Sequence, residues 1–174
     1  MSKLKPAVNS DDHFQGNEYA PIVLVEYGDY QCPHCGRAYH IIKNIQQKLG
    51  NKLKFVFRNF PLAEVHENAT NAAIATEAAS AQGKFWEMHD ILFENQQQLD
   101  DVSIIKYAVK IGINIDKLET DLENPKYLQK VESDFESGAR SGVYGTPTFY
   151  INNEEYDGLL DEELFLEYLQ SLSV

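Results

Sequence analysis

Cysteine is scarce in this chain: two in 174 residues, too few for the disulfide framework of a small secreted scaffold. Long apolar runs are missing as well. None approaches the ~20 residues that span a bilayer, so no transmembrane helix is expected. The first twenty residues are mostly polar, with Leu4, Ala7, Val8 and Phe14 scattered among them. That does not read as a secretory leader, so the expected location is the cytoplasm, or an exported one if a leader has been trimmed. Positive charge is in the minority, 15 Lys and Arg against 27 Asp and Glu, for a net charge of −12. A polyanion would be repelled, which removes nucleic acid from the expected partners. Internal repeats and low-complexity linkers are absent too. What remains, 43% hydrophobic and 11% aromatic, is enough apolar material for a packed core in a chain of this length.

The pattern along the chain divides it into three parts. Residues 1–62 hold a lead-in and a βαβ unit. Residues 1–19 read as irregular, with Asp11, Asp12, Gly16 and Asn17 as turn formers. "PIVLVEYGD" reads as a buried strand. "PHCGRAYHIIKNIQQKLG" reads as a helix, with Cys35, Ala38, Ile42, Ile45 and Leu49 at spacings of three and four, Pro33 at its first position and Gly50 at its stop. "LKFVFRNF" alternates as a strand, and a strand–helix–strand unit of this length implies parallel pairing. Residues 63–140 read as helical almost throughout, broken near Gly83, with Asp101 or Ser103 capping the piece that begins "DVSIIKY". Residues 141–174 return to strand character in "TPTFYIN", turn at Asn152–Asn153, and end in a helix capped by Asp161. The expectation is an α/β fold: one mixed sheet of two parallel strands and a hairpin, flanked by helices, with an all-helical insertion.

Both cysteines lie in "VEYGDYQCPHCGRAY", and three readings of the pair are open: staple, metal clamp or reagent. A disulfide between Cys32 and Cys35 closes a tiny loop and stabilises little. A metal site normally needs four ligands. Cys32, His34 and Cys35 supply three, and there is no second C-x-x-C. The reagent reading uses position. If the helix begins at Pro33, Cys32 is its N-cap, and the N–H groups of His34 and Cys35 and the helix dipole favour a thiolate there. Protonated His34 would add to that. Cys35 lies nearly one turn on, roughly 5–6 Å away by Cα, within disulfide reach. It faces inward, so Cys32 is the expected exposed nucleophile and Cys35 the resolving thiol. Glu26, in an otherwise apolar strand, has two readings: a buried carboxylate with a raised pKa that relays protons to Cys35, or a side chain turned to solvent by strand alternation.

"GVYGTPTFYI" follows about 110 residues after the cysteines. With "CPHC", Glu26, "FRNFPL" and "GKFWEMHDILFENQ", it makes the chain resemble the DsbA-like branch of the thioredoxin superfamily, from about residue 14 onward. All four positions of "CPHC" match that branch's active-site motif. Gln31, where thioredoxin itself has tryptophan, sets the chain apart from thioredoxin. The resemblance implies a thioredoxin-like fold with a helical insertion. It also implies thiol–disulfide exchange with protein or peptide thiols and disulfides, with no cofactor beyond the Cys32–Cys35 disulfide. Glutathione or a thioredoxin-type reductant is the implied redox partner. Pro33 and His34 would tune the potential. Pro147 would be cis, with Thr146 offering backbone hydrogen bonds to an extended substrate, a strand addition indifferent to side chains. Oxidase, reductase and isomerase directions stay open. So do a glutathione-linked transferase or isomerase on the same fold, as in the kappa-class relatives, and a metal-binding module. His13, His40, His66 and His89 read as surface or structural. Trp86, Phe85, Met88, Leu92 and Phe93 read as core of the helical block. Tyr27 and Tyr30 either flank the site or pack the strand end.

Overall fold

The computed structural model describes residues 1–172; positions 173 and 174 of the expected C-terminal part lie outside the described residues. The elements run β1 (His13–Gly16), β2 (Ile22–Gly28), α1 (Pro33–Leu49), β3 (Leu53–Asn59), α2 (Ala69–Ser80), α3 (Phe85–Phe93), α4 (Asp101–Lys110), α5 (Ile115–Leu122), α6 (Pro125–Ser141), β4 (Thr148–Ile151), β5 (Glu154–Tyr156) and α7 (Glu162–Ser171). The sheet order is β1-β3-β2-β4-β5. β2 and β3 pair in parallel and the other pairs are antiparallel.

β2, α1 and β3 follow the sequence pattern closely. Pro33 opens α1 and Gly50 caps it with φ 51, a conformation that costs glycine nothing. Asn152 and Asn153, with φ 48 and 76, make the β4–β5 turn, as two-residue hairpins require. Asp161 caps α7 by accepting from Leu164 N at 3.1 Å.

Two expectations need correction. The lead-in is not wholly irregular: residues 13–16 form a fifth strand on β3, and Lys3 makes an isolated bridge to Glu154. A four-residue strand at a sheet edge has too little alternation to announce itself in sequence. The cap of α4 is Asp100, which accepts from Ser103 N and Oγ at 3.2 and 2.7 Å; Asp101 and Ser103 are inside the helix. The Asp11–Asn17 segment, without a mechanism in sequence, anchors the fold. Asp12 holds the buried guanidinium of Arg58 through two oxygens at 2.8 and 2.9 Å, and His13 meets Glu77 at 2.8 Å.

The sheet is covered on both faces. Ile22, Leu24, Phe55, Phe57, Phe149 and Ile151 face one core with residues of α1, α3 and α7. Val25, Tyr27, Val56 and Tyr150 face a smaller one with Leu4, Phe60 and Val143. On that side α6 comes so close that a Cβ on Gly138 would stand 2.7 Å from the Phe60 ring. Arg58 donates there to Tyr27 Oη at 2.9 Å, and that hydroxyl shares a hydrogen bond with Ser137 Oγ at 2.8 Å. A buried cation is tolerated because each of its nitrogens is occupied: Pro6 and Ala7 carbonyls take the rest at 3.0 and 3.4 Å.

Candidate active site

β2 ends against the turn 29–31, which must hand Cys32 to the start of α1. Asp29, a buried carboxylate, shapes that turn. Its Oδ1 accepts from Gln31 N at 2.8 Å, while Oδ2 accepts from Leu62 N at 2.9 Å and contacts His66 Nδ1 at 2.8 Å. The Asp29 carbonyl accepts from Cys32 N at 3.1 Å. Gln31 Oε1 accepts from Asn68 N at 2.9 Å. The turn after β2 is thus stitched to the loop after β3, and Cys32 arrives as the N-cap of α1 with Pro33 in the first turn.

Across the gap lies residue pair 146–147, brought from the far end of the chain by the pairing of β4 with β2. The Thr146–Pro147 peptide is cis. The Cys32 thiol donates to the Thr146 carbonyl at 3.6 Å, and the buried Thr146 hydroxyl, with no partner within hydrogen-bond distance among the described residues, acts on the Cys32 sulfur. Cys32 is less open than the sequence implies. It is 4% exposed, because the 146–147 loop covers it, a cover contributed from more than a hundred residues away.

The two thiols, both reduced, are driven apart electrostatically. Cys32 is pulled down from an ordinary 9.0 to about 5. The largest cause is a hydrogen bond from the Cys35 side chain; burial opposes it, and the Thr146 side chain and the N–H groups of Cys35 and His34 add to it. The helix amides expected to favour the thiolate contribute, and the Cys35 thiol contributes more. Cys35, fully buried, is pushed well above 9.0 by burial first, with Cys32 and Glu26 adding to the effect.

Glu26 is buried, 2% exposed. Of its two readings the structure selects the inward one. β2 is a central strand with both faces covered, so alternation cannot deliver a side chain to water, and position 26 shares the face of Ile22 and Leu24. Burial raises the carboxyl to about 8, with the Cys32 charge adding. Its Oε1 has no hydrogen-bond partner among the described residues.

Tyr27 and Tyr30 are fully covered, which selects packing at the strand end. Tyr30 Oη meets His89 Nδ1 at 3.1 Å. His89 is itself buried, and burial pushes its pKa well below 6.5. Trp86 packs in the aromatic cluster around it and donates to the Phe14 carbonyl at 3.0 Å. His34 and His40 are exposed. Among the described residues no three His, Cys, Asp or Glu side chains converge to hold a metal ion, and no helix is long and apolar enough to cross a membrane.

Beside Pro147 runs a cleft of about 320 Å³. His34, Arg37, Thr146, Pro147, Tyr156 and Asp157 line it. A larger cleft, about 440 Å³, opens between α2, α4 and α5, but its lining of Ile74, Ile104, Ile105 and Leu122 with Asp101 and Glu119 brings no nucleophile to it. Asp29 and the Thr146 hydroxyl are site features that sequence reasoning missed. Asp29 reads in sequence only as a strand end, because its partners lie 33 and 37 residues away.

A family model described as thioredoxin matches residues 8–171. The Na(+)/H(+) antiporter NhaA 1 of Mycobacterium sp. (strain KMS) is 37% identical over 173 residues, which is 98% of this chain and 28% of that protein. The chain thus spans less than a third of the curated relative's length. Among solved structures, BdbD from Bacillus subtilis superposes with a TM-score of 0.84 at 24% identity, covering 98% of this chain and 97% of that one. The thiol-disulfide exchange protein alpha-DsbA2 from Wolbachia pipientis gives 0.84 at 24% identity, covering 95% and 89%.

Proposed function

The chain belongs to the thioredoxin family and carries the DsbA-type arrangement of that fold, and from this premise we propose that it is a thiol–disulfide oxidoreductase acting on protein or peptide substrates through a Cys32–Cys35 redox pair. One observation carries the proposal. A thiol drawn down to about 5 lies against a thiol pushed up by burial, at a helix start and under the 146–147 loop.

In the oxidising direction, a substrate thiolate attacks Cys32 Sγ of the Cys32–Cys35 disulfide. The bond between the two enzyme sulfurs breaks, and Cys35 leaves with the electron pair and takes a proton. Buried Glu26, raised to about 8, is the group suited to supply it. A second substrate thiolate attacks the substrate sulfur of the mixed disulfide, expelling Cys32 as a thiolate and leaving a substrate disulfide. The reverse sequence reduces a substrate disulfide, with Cys32 attacking and Cys35 resolving. Holding Cys32 ionised stabilises the reduced pair, which makes the oxidised pair the stronger oxidant and favours disulfide donation. Pro33 and His34 set the potential from inside the loop. The cleft beside Thr146 and Pro147 admits an extended peptide whose backbone, not its side chains, makes the contacts. After donation the reduced pair is reoxidised by a disulfide such as oxidised glutathione, and after the reducing direction glutathione or a thioredoxin-type dithiol returns the pair to its dithiol form.

Trapping tests this. Cys35→Ala, mixed with a disulfide-bonded peptide, should gain one peptide mass through Cys32 and hold it; no adduct at Cys32 would sink the proposal, and conjugation of a model electrophile to glutathione would support the transferase instead. Equilibration of the wild-type pair with glutathione then fixes direction: a potential near about −120 mV supports donation, and one near about −270 mV supports reduction.

A further inference from the structure

We propose that Gln96 is a positioning residue for this exchange, holding the turn that presents Cys32 through both hydrogens of its amide nitrogen, with Gly36 as the space that admits it. The inference rests on the thiol–disulfide reading of the site.

Gln96 lies in the turn after α3. Its Nε2 donates to the Tyr30 carbonyl and to the Cys32 carbonyl, each at 2.9 Å. The Cys32 carbonyl also accepts from Gly36 N at 3.0 Å, in the first turn of α1. Both acceptor positions of that oxygen are therefore used, one by the helix and one by Gln96. This carbonyl sits on the same residue as the nucleophilic sulfur. Its negative end opposes a thiolate, and a donor that draws on it relieves the opposition. The Tyr30 carbonyl, two residues earlier, fixes the other end of the same turn.

The chemistry of the clamp is specific. One nitrogen must reach two carbonyls with two hydrogens and no charge, which a carboxamide does. Glutamate would set its acceptor oxygens against the two carbonyls, and asparagine is one methylene short. Gly36 supplies independent support. A Cβ built there would stand 2.0 Å from Gln96 Oε1 and 2.7 Å from its Cδ, closer than any packed pair. Glycine inside a helix costs about 1 kcal/mol relative to alanine, so α1 gives up helix stability at the position where Gln96 enters. The amide is reached from α3, whose end is tied down by Asn95 Nδ2 donating to the Ile91 carbonyl at 2.8 Å.

The test is the pH dependence of Cys32 alkylation in the reduced full chain, for wild type, Q96A, Q96E, G36A and G36A/Q96A, with denaturation midpoints measured in parallel. Q96A should raise the alkylation midpoint by about half to one pH unit, the worth of one hydrogen bond, and Q96E by more. G36A should copy Q96A, and the double variant should add nothing further, because both remove the same contact. A wild-type midpoint well below that of a free thiol, with Q96A unchanged in midpoint, overturns the inference and leaves the exchange reading standing, whatever Q96A does to stability. A wild-type midpoint at the free-thiol value overturns the exchange reading itself. If G36A does not fold, Q96A and Q96E decide alone.

Discussion

Replacing the ionisable carboxyl of Glu26 should uncover a pH dependence of stability that the wild-type protein conceals. The carboxyl is raised from 4.5 to about 8 by burial and then by the Cys32 charge. A folded-state pKa above the unfolded value means that, between those pH values, the unfolded chain has lost a proton the folded chain retains. Stability is therefore fully present below about 4.5 and falls as pH rises towards 8, by about 1.4 kcal/mol per pH unit. Reduced Cys32 does the opposite. Its thiol is lowered from 9.0 to about 5, so the stability it contributes is present above 9, is lost as pH falls to 5, and rises with pH in between. One proton separates the two states there as well, so its slope is about 1.4 kcal/mol per pH unit of opposite sign. The two slopes nearly cancel from pH 5 to 8, and the reduced wild type should be almost flat there. Urea denaturation of reduced protein across that window reads the slopes directly. Glu26→Gln should gain stability with rising pH by about 1.4 kcal/mol per unit between about pH 5 and 8, and at pH 7 should exceed the wild type by about 3 kcal/mol, less the cost of an unpartnered amide. Cys32→Ser should lose stability with rising pH. If all three proteins share one slope, Glu26 is not titrating inside the fold and its assignment as proton donor to Cys35 fails with it.

Cys35→Ala removes the largest cause of the lowered Cys32 pKa, so the alkylation midpoint of Cys32, followed by mass spectrometry, should move up from about 5 by one unit or more; an unmoved midpoint would return the leading role to the helix amides. Arg58→Leu strands the Asp12 carboxylate in the fold and should cost about 3–5 kcal/mol in chemical denaturation, and a cost below about 1 kcal/mol would show that the Asp12–Arg58 pair does not anchor the lead-in.

The elements written in short-range patterns were readable without coordinates. The β-branched run of β2, the three-and-four spacing of α1 and the Asn152–Asn153 turn each express interactions between residues a few positions apart. The same holds for Cys32 at a helix start with Cys35 one turn on. The short motifs "CPHC" and Thr146–Pro147 likewise resembled a family whose membership the comparison bears out. What assembles around them left no such trace. β1 exists because β3 offers it an edge. Glu26 is buried because strands on both sides and packed layers above and below enclose β2. The cover over Cys32 comes from 114 residues away, and the Gln96 clamp from 64. Periodicity records which face a side chain takes relative to its own element. Whether that face meets water, a carbonyl or another sulfur depends on how distant segments pack, and on that packing rest the separated pKa values of the two thiols.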